Sequence, residues 1–389
     1  MNALSRIFTK LAPSERYWAS IFFIFFCAAL LPFGSGPQKV SFYLGIVFPA
    51  LVFSTREEYR RLVGNPYLLL PVALCVYALL RSADPDAALS TLKALFTFLL
   101  LALGAMKVPT AQPAVVKRGA LLFITALLIY VLANAIHQAM TQNWLPGQRL
   151  GKLFGGVENV IFCTALLVCA LVVYSWACLR ENDYRSLIIA NAVVMTSAFW
   201  LMQSRTALPA WAGSMAILAA CAIPPSDRRR VLPWLFLSML AIGALGIPAL
   251  LERGNSYRVE IWTHYLAEMR ECGALFGCGW GLDRPFTTHD GSAIPHPHSI
   301  YVQHLFWGGF TGLALLLLTL LPPLIAGIRQ AHFAAWALLP GCIALLFDGR
   351  GVITSNLNQR WFLAAVPLAF LIAGLTTQTA TSTASGKNA

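Results

Sequence analysis

Long apolar runs, separated by short polar segments, recur along this chain of 389 residues. A helix needs about 20 mostly apolar residues to cross a membrane, and most of the runs approach that length. We therefore predict an all-α, polytopic integral membrane protein with about twelve spanning helices. The runs are centred on residues 17–33, 39–54, 66–80, 86–106, 119–137, 160–178, 186–203, 206–223, 231–250, 299–327, 333–347 and 361–376.

One polar segment, residues 251–299, interrupts this pattern and is longer than the other polar segments. Its first part is amphipathic and carries Arg258, Trp262 and Tyr265, which share one face of a helix at spacings of four and seven residues. The glycine-rich sequence FGCGWG follows. It predicts a tight backbone turn that returns the chain to the membrane surface.

The composition fits a membrane protein, because 58% of the residues are hydrophobic and only 11% are charged, whereas soluble domains have about 25% charged residues. We expect one transmembrane domain over residues 1–378, with its first apolar run as a signal anchor. A disordered cytoplasmic tail is expected over 379–389. The net charge of +12 is explained by residues that fix membrane topology, so no nucleic-acid partner is expected.

Basic residues cluster in alternate loops, which the positive-inside rule places in the cytoplasm together with both termini. The opposite face carries scattered cations that topology does not need, and Lys93 lies inside the fourth run. Cations that converge from separate loops are typical of an anion-binding site. The alternative is that each one reaches lipid headgroups by itself. The scattered cations are Arg81, Arg149, Lys152, Arg205, Arg258, Arg350 and Arg360.

Histidines supply candidate chemistry on the same face. His298 precedes the tenth run, at a membrane–water boundary where an imidazole can take a proton from a hydroxyl. His304 lies inside that run and fits a packed polar residue better. His289, Asp290 and His296 suggest a metal site, but no DxD pair and no helical HExxH motif supports one, so we expect no metal. FGCGWG is not followed by Lys-Ser/Thr, and we expect no bound nucleotide.

Seven of the nine cysteines lie inside apolar runs, where cysteine is a small core residue. Cys272 and Cys278 lie in the polar segment instead. They can form a disulfide in an oxidising compartment or stay as free thiols, and the sequence leaves both states open.

Four motifs, in this order, resemble the O-antigen ligase superfamily, which also contains O-antigen polymerases and O-linked oligosaccharyltransferases. They are QRLGKLFGGVENVIFCTALL, QSRT after a middle run, YRVEIW followed by LFGCGWG in the large loop, and PHSIYVQ followed by GGFTGL. They cover roughly residues 145–315. Ser299 departs from the pattern, because many members have an asparagine after the histidine.

The resemblance implies a GT-C-like glycosyltransferase in a bacterial inner membrane, with a periplasmic active site. The donor would be an undecaprenyl-diphosphate-linked glycan and the acceptor a lipid A–core sugar hydroxyl, with no cofactor, metal or nucleotide. His298 matches the family's essential histidine, and Arg205 and Arg258 match the two arginines near the diphosphate. Arg149 and Lys152 are weaker diphosphate candidates.

Two groups of alternatives stay open. Within the superfamily, the chain is a ligase, which its compact size and single late loop favour, or a polymerase or O-linked oligosaccharyltransferase. Outside it, a transporter of lipid-linked sugar would need charges distributed through the helices. Further donor or acceptor contacts are expected from Arg81, Arg350, Arg360, Trp262 and Tyr265.

Overall fold

The computed structural model describes residues 14–31, 36–108, 112–145, 148–155, 157–229, 231–234, 257–288, 291–349 and 359–385, with positions 236, 237, 240, 351 and 353. In this part of the chain nearly all regular structure is helical. Two short strands, β1 (Phe286–Thr287) and β2 (Ala293–Ile294), pair antiparallel, with Phe286 opposite Ile294.

The helices are numbered here in chain order. A π-helical segment, Ser41–Val47, joins α2 to α3. The bounds are α1 (Glu15–Ala28), α2 (Gly36–Val40), α3 (Phe48–Phe53), α4 (Arg56–Val63), α5 (Pro66–Leu80), α6 (Pro85–Ala105), α7 (Pro113–Gln142), α8 (Val160–Arg180), α9 (Tyr184–Met202), α10 (Ala207–Ala222), α11 (Arg258–Cys272), α12 (Ile300–Arg329), α13 (Phe333–Ala344), α14 (Gln359–Leu363) and α15 (Ala365–Ser385).

Within the described residues, five helices are long and apolar enough to cross a membrane: α6, α7, α8, α9 and α12. A sixth candidate span joins Gly36–Phe53 to Arg56–Val63 through a bend of 105°. Shorter apolar helices, among them α5, α10 and α13, pack beside them. The chain is therefore an all-α, multi-pass membrane protein. The count of twelve spans stays a prediction, and most of the run 231–250 lies outside the described residues.

Helix α8 forms the centre of the bundle, and 94% of its apolar window is buried. It is apolar on all faces, as expected for a helix surrounded by others, and it packs against α7, α9, α10 and α13. Buried Asn191 of α9 donates to Ser175 Oγ of α8 (2.9 Å) and accepts from Trp211 Nε1 of α10 (2.8 Å). Such interhelical hydrogen bonds contribute about 0.6–2 kcal/mol each in a membrane. They fix α9 and α10, which flank the turn that carries Arg205.

Contacts between loops divide the bundle into two ends. At one end, Lys107 Nζ lies 2.7 Å from a Glu58 carboxylate oxygen, and Lys117 Nζ lies 2.8 Å from both Glu181 and Asp183. We call this the lysine end. The loops opposite, which include residues 81–84, 148–155, 203–206, 257–288, 291–299 and 345–349, form the histidine end. Described members of the basic clusters, such as Arg60, Lys117 and Arg228, lie at the lysine end.

The glycine-rich turn inserts into α12, where Gly309 has a left-handed φ of 61° and breaks the helix. Around this break, the turn replaces hydrogen bonds that α12 would make with itself. A Cβ atom on Gly277 would lie 2.5 Å from the Gly309 nitrogen, so the close approach requires glycine. In the turn, the N–H groups of Cys278 and Gly279 donate to the carbonyls of Phe306 and Trp307. In α12, the N–H groups of Phe310 and Thr311 donate to the carbonyls of Ala274 and Leu275.

The tight turn expected from FGCGWG is confirmed, because Gly277, Gly279 and Gly281 all have positive φ. A disulfide joins Cys272, the last residue of α11, to Cys278, so the question that the sequence left open is answered. The disulfide closes the loop that inserts into α12. It thereby connects α11 to the helix that begins beside His298.

Helix α15 extends to Ser385, so it overlaps the beginning of the tail expected over 379–389. The cytoplasmic tail stays a prediction. Residues 386–389 lie outside the described part of the chain.

Candidate functional site

His298 lies immediately before α12, at the histidine end. Ser299 caps the helix, and its hydroxyl oxygen accepts from the Val302 N–H. The His298 backbone is left-handed, with φ 51°. Its Nδ1 atom lies 3.2 Å from Asp348 Oδ1, and 37% of the His298 side chain is exposed, compared with 5% of Asp348. The His298 side chain is therefore partly accessible, whereas the Asp348 side chain is buried.

Asp348 reaches His298 from the turn after α13, fifty residues further along the chain. The Ile300 N–H donates to Leu345 O at 3.0 Å and joins the start of α12 to this turn. Burial alone would raise the pKa of Asp348, but the hydrogen bond with His298, its charge and the Gly349 N–H hold the pKa below its ordinary value. An ionised carboxylate only accepts hydrogen bonds, so with Asp348 ionised this contact uses an N–H at His298 Nδ1 and leaves Nε2 outside it.

Arg258 is held at the same site by α11. Ile261 and Tyr265, one and two turns further along, pack against Phe306. The Arg258 guanidinium lies 6.0 Å from the centre of the Phe347 ring, next to Asp348. Burial lowers the pKa of Arg258, the Asp348 charge raises it, and the Arg205 charge lowers it further. Two guanidinium groups and one carboxylate thus share an electrostatic environment.

The turn between α9 and α10 supplies Arg205. Gln203 ends α9 in a left-handed conformation, with φ 44°, and Ser204 and Thr206 are buried on either side of the arginine. The Leu150 N–H donates to Leu201 O at 3.1 Å, which brings the loop containing Arg149 to the same helix end. Arg149 and Arg205 are both partly buried.

Arg360 and His296 complete the cluster. The Arg360 guanidinium lies 5.6 Å from the centre of the Phe162 ring. Burial, followed by the charges of His298 and Arg360, lowers the pKa of His296 to about 4, against an opposing effect of Asp348. His296 is therefore neutral near pH 7, and Arg360 lies close enough to affect it.

Other candidates from the sequence have different surroundings. Lys152 pairs with Glu158 at 2.7 Å on an exposed surface. Arg81 donates to Gly277 O and lies above the Phe276 ring. This contact is at the level of the α12 break, which is about 13 Å along the helix from its first residue, Ile300, by the rise per residue. Arg350 lies outside the described residues.

The two aromatic candidates on α11 hold the site together. Trp262 Nε1 donates to Pro297 O at 2.9 Å, between the two histidines. Tyr265 is 1% exposed, and its ring packs edge-on against Phe306, a position that favours structural support. His304 is buried in α12 as expected, with Nδ1 2.7 Å from Ile300 O.

Among the described residues, no group of three or more His, Cys, Asp or Glu side chains is arranged to hold a metal ion. His289 and Asp290, which suggested such a site in the sequence, lie outside the described residues.

Asp348 was not among the site residues predicted from the sequence. One signal pointed to it: it begins the polar loop DGRG directly after an apolar run. Carboxylates are costly at such a boundary unless they are paired. The identity of the partner, however, depends on a contact between distant segments.

The cluster gathers several guanidinium groups around one carboxylate. Arg258 interacts electrostatically with both Arg205 and Asp348, and Arg360 interacts with His296. Guanidinium groups match phosphate oxygens with paired donors and stay charged when partly buried. This arrangement can bind an anion beside a proton acceptor.

No protein-family model, no curated protein and no solved structure matches this chain.

Proposed function

We propose that this protein is a glycosyltransferase that moves a glycan from a polyprenyl diphosphate to a sugar hydroxyl of a lipid-anchored acceptor. In the ligase form of this proposal, the donor is undecaprenyl-diphosphate-linked O-antigen and the acceptor is lipid A–core. The reaction takes place at the histidine end, on the periplasmic side of a bacterial inner membrane, and needs neither nucleotide nor metal.

One arrangement carries the proposal: His298 pairs with Asp348, Arg258 interacts with both Asp348 and Arg205, and Arg360 interacts with His296, two residues before His298. A base beside several guanidinium groups fits a reaction in which an alcohol attacks while a diphosphate leaves. The guanidinium groups complement the charge that develops on the leaving group. The motifs that resemble the O-antigen ligase superfamily support the same substrate class.

In the proposed reaction, His298 Nε2 accepts the proton of the acceptor hydroxyl. The hydroxyl oxygen forms a bond to the anomeric carbon, and the bond from that carbon to the diphosphate oxygen breaks. The electron pair of the broken bond leaves with the diphosphate, where the guanidinium groups stabilise it. Attack opposite the leaving group inverts the anomeric centre. Asp348 stabilises the imidazolium that His298 becomes.

The orientation of the site has independent support. The described members of the basic loop clusters lie at the lysine end, which the positive-inside rule assigns to the cytoplasm. The Cys272–Cys278 disulfide lies at the opposite end, and disulfides persist in oxidising compartments such as the periplasm.

The test is transfer by the purified protein in proteoliposomes, with undecaprenyl-diphosphate-linked oligosaccharide and lipid A–core, without nucleotide or added metal. We expect a glycolipid of lower mobility on a gel, and a loss of rate of about 10³-fold in His298→Ala, because general-base catalysis contributes about 10²–10⁴-fold. Full transfer by His298→Ala would refute the assignment of the base.

Two additional arms separate the alternatives. If a second lipid-linked oligosaccharide replaces lipid A–core and is elongated, the protein is a polymerase. If lipid-linked oligosaccharide crosses the bilayer when no acceptor is present, the protein is a transporter. A ligase does neither.

A further inference from the structure

The backbone at His298 adopts a conformation that few side chains tolerate. With φ 51° the residue lies in the left-handed region, which non-glycine residues seldom occupy and which persists only where surrounding contacts impose it. The direction of the Cα–Cβ bond, and therefore of the imidazole ring, depends on this conformation. Contacts from neighbouring residues have to stabilise this backbone conformation.

His296 contacts the His298 backbone directly. Its Nδ1 atom accepts a hydrogen bond from the His298 backbone N–H at 3.2 Å. This bond, from a side chain to the N–H two residues later, has the form of the turns that Asn and Asp side chains make. The two imidazole rings also lie against each other, with centroids 4.3 Å apart.

The residue between the two histidines is held as well. Trp262 of α11 donates from Nε1 to Pro297 O at 2.9 Å, so the peptide that links Pro297 to His298 is bound from one side by Trp262 and from the other by His296. Proline fixes its own φ, which further limits the paths that the chain can take. The Trp262 bond connects this segment to the helix that carries Arg258.

We propose that His296 is a positioning residue, whose ring nitrogen holds the His298 backbone in the left-handed conformation that directs the His298 ring toward Asp348. This role rests on the proposed function of His298 as the base. His296 itself takes no proton from the substrate. Its low pKa agrees with the role, because a protonated Nδ1 would be a donor and lose the bond.

Two substitutions separate the hydrogen bond from the ring contact. His296→Phe keeps an aromatic ring against His298 but removes the acceptor. His296→Asn removes the ring but keeps an oxygen that can accept from the N–H two residues later. We expect His296→Phe to lower kcat for transfer by about tenfold or more, with KM for the lipid-linked donor nearly unchanged, and His296→Asn to stay within about threefold of the original kcat.

A second measurement does not depend on transfer. Diethyl pyrocarbonate modifies neutral imidazoles, and peptide mass spectrometry can follow its reaction at His298 in the full-length protein. We expect the rate at His298 to change at least threefold in His296→Phe and to stay unchanged in His296→Asn. Thermal unfolding in detergent, with the same midpoint in all three proteins, shows that each variant is folded.

The outcomes distinguish the two proposals. If His298→Ala abolishes transfer while His296→Phe keeps the original kcat and the original modification rate, His296 has no positioning role and the base assignment stands. If His298→Ala transfers normally, the base assignment fails. If His296→Asn is as slow as His296→Phe, an acceptor at this position does not restore transfer, and the inference is overturned.

Discussion

The lysine pairs at one end of the bundle and the arginine cluster at the other hold basic side chains in different surroundings. At the lysine end, Lys107 meets Glu58, and Lys117 meets both Glu181 and Asp183, so these cations are matched by carboxylates. At the histidine end, Arg205 and Arg258 approach each other closely enough that the charge of one lowers the pKa of the other. Asp348, which lies among them, hydrogen-bonds to His298.

This difference shows what each end requires. Paired charges join neighbouring loops and stabilise the fold, each by a modest amount when partly exposed. Gathering like charges costs free energy, and such an arrangement is typical of sites where an anion compensates the cost. Substitutions at the lysine end should therefore change stability, and substitutions at the histidine end should change transfer.

The largest effect in this comparison is expected from Asp348→Asn. The amide cannot stabilise an imidazolium, and it favours the wrong tautomer of His298. We expect kcat for transfer to fall on the order of 10²–10⁴-fold, measured in the proteoliposome assay. A variant that is folded and transfers at the original rate would show that the His298–Asp348 contact is structural.

A lysine in place of Arg258 tests whether the guanidinium group itself is needed. Lysine keeps the charge but cannot make paired hydrogen bonds to a phosphate, so we expect a loss of about 10²-fold in kcat/KM. Arg205→Lys should behave similarly. The matched control is Arg228→Lys at the lysine end, where the arginine donates to the Ala220 and Ile223 carbonyls.

We expect Arg228→Lys to transfer at the original rate. If Arg258→Lys and Arg228→Lys both lower kcat/KM only slightly, then neither end recognises a phosphate. The arginines at the histidine end would then only reach lipid headgroups.

The smallest effect is expected from Lys107→Ala. Lys107 donates to Glu58 and to the Phe53 carbonyl, and its loss leaves a partly buried carboxylate without its cation. The free energy of unfolding should fall by about 1–2 kcal/mol, seen as a lower thermal midpoint in detergent, while kcat of the folded protein is unchanged. A clear loss of transfer with no loss of stability would contradict the division between the two ends.

The class of fold could be predicted from the sequence because the length and apolar composition of each run indicate a helix that lies in a membrane. The helices α6 to α9 follow the expected runs to within six residues at each end, and glycine spacing predicted the turn at Gly277. The kink of α12 at Gly309 was not predicted. It depends on hydrogen bonds between that helix and residues 274–279, and no local pattern reports such an exchange.

For the candidate site, the sequence supplied the residue types but not their grouping. Arg205, Arg258, Arg360 and His298 were chosen because cations and an imidazole lay on the face opposite the basic clusters. Lys152 and Arg81 met the same criterion, yet the structure pairs one with Glu158 and places the other at the α12 break. Asp348 was overlooked because its partner lies fifty residues away.

The sequence by itself determined that this chain is a helical membrane protein, because burial in lipid requires long apolar helices whose backbone bonds are satisfied internally. It also determined which loops carry the basic clusters. Only the tertiary structure decided which cations share a site, that Cys272 and Cys278 join, and that His298 lies beside Asp348. These contacts depend on how the helices pack, because packing brings together residues that are far apart along the chain.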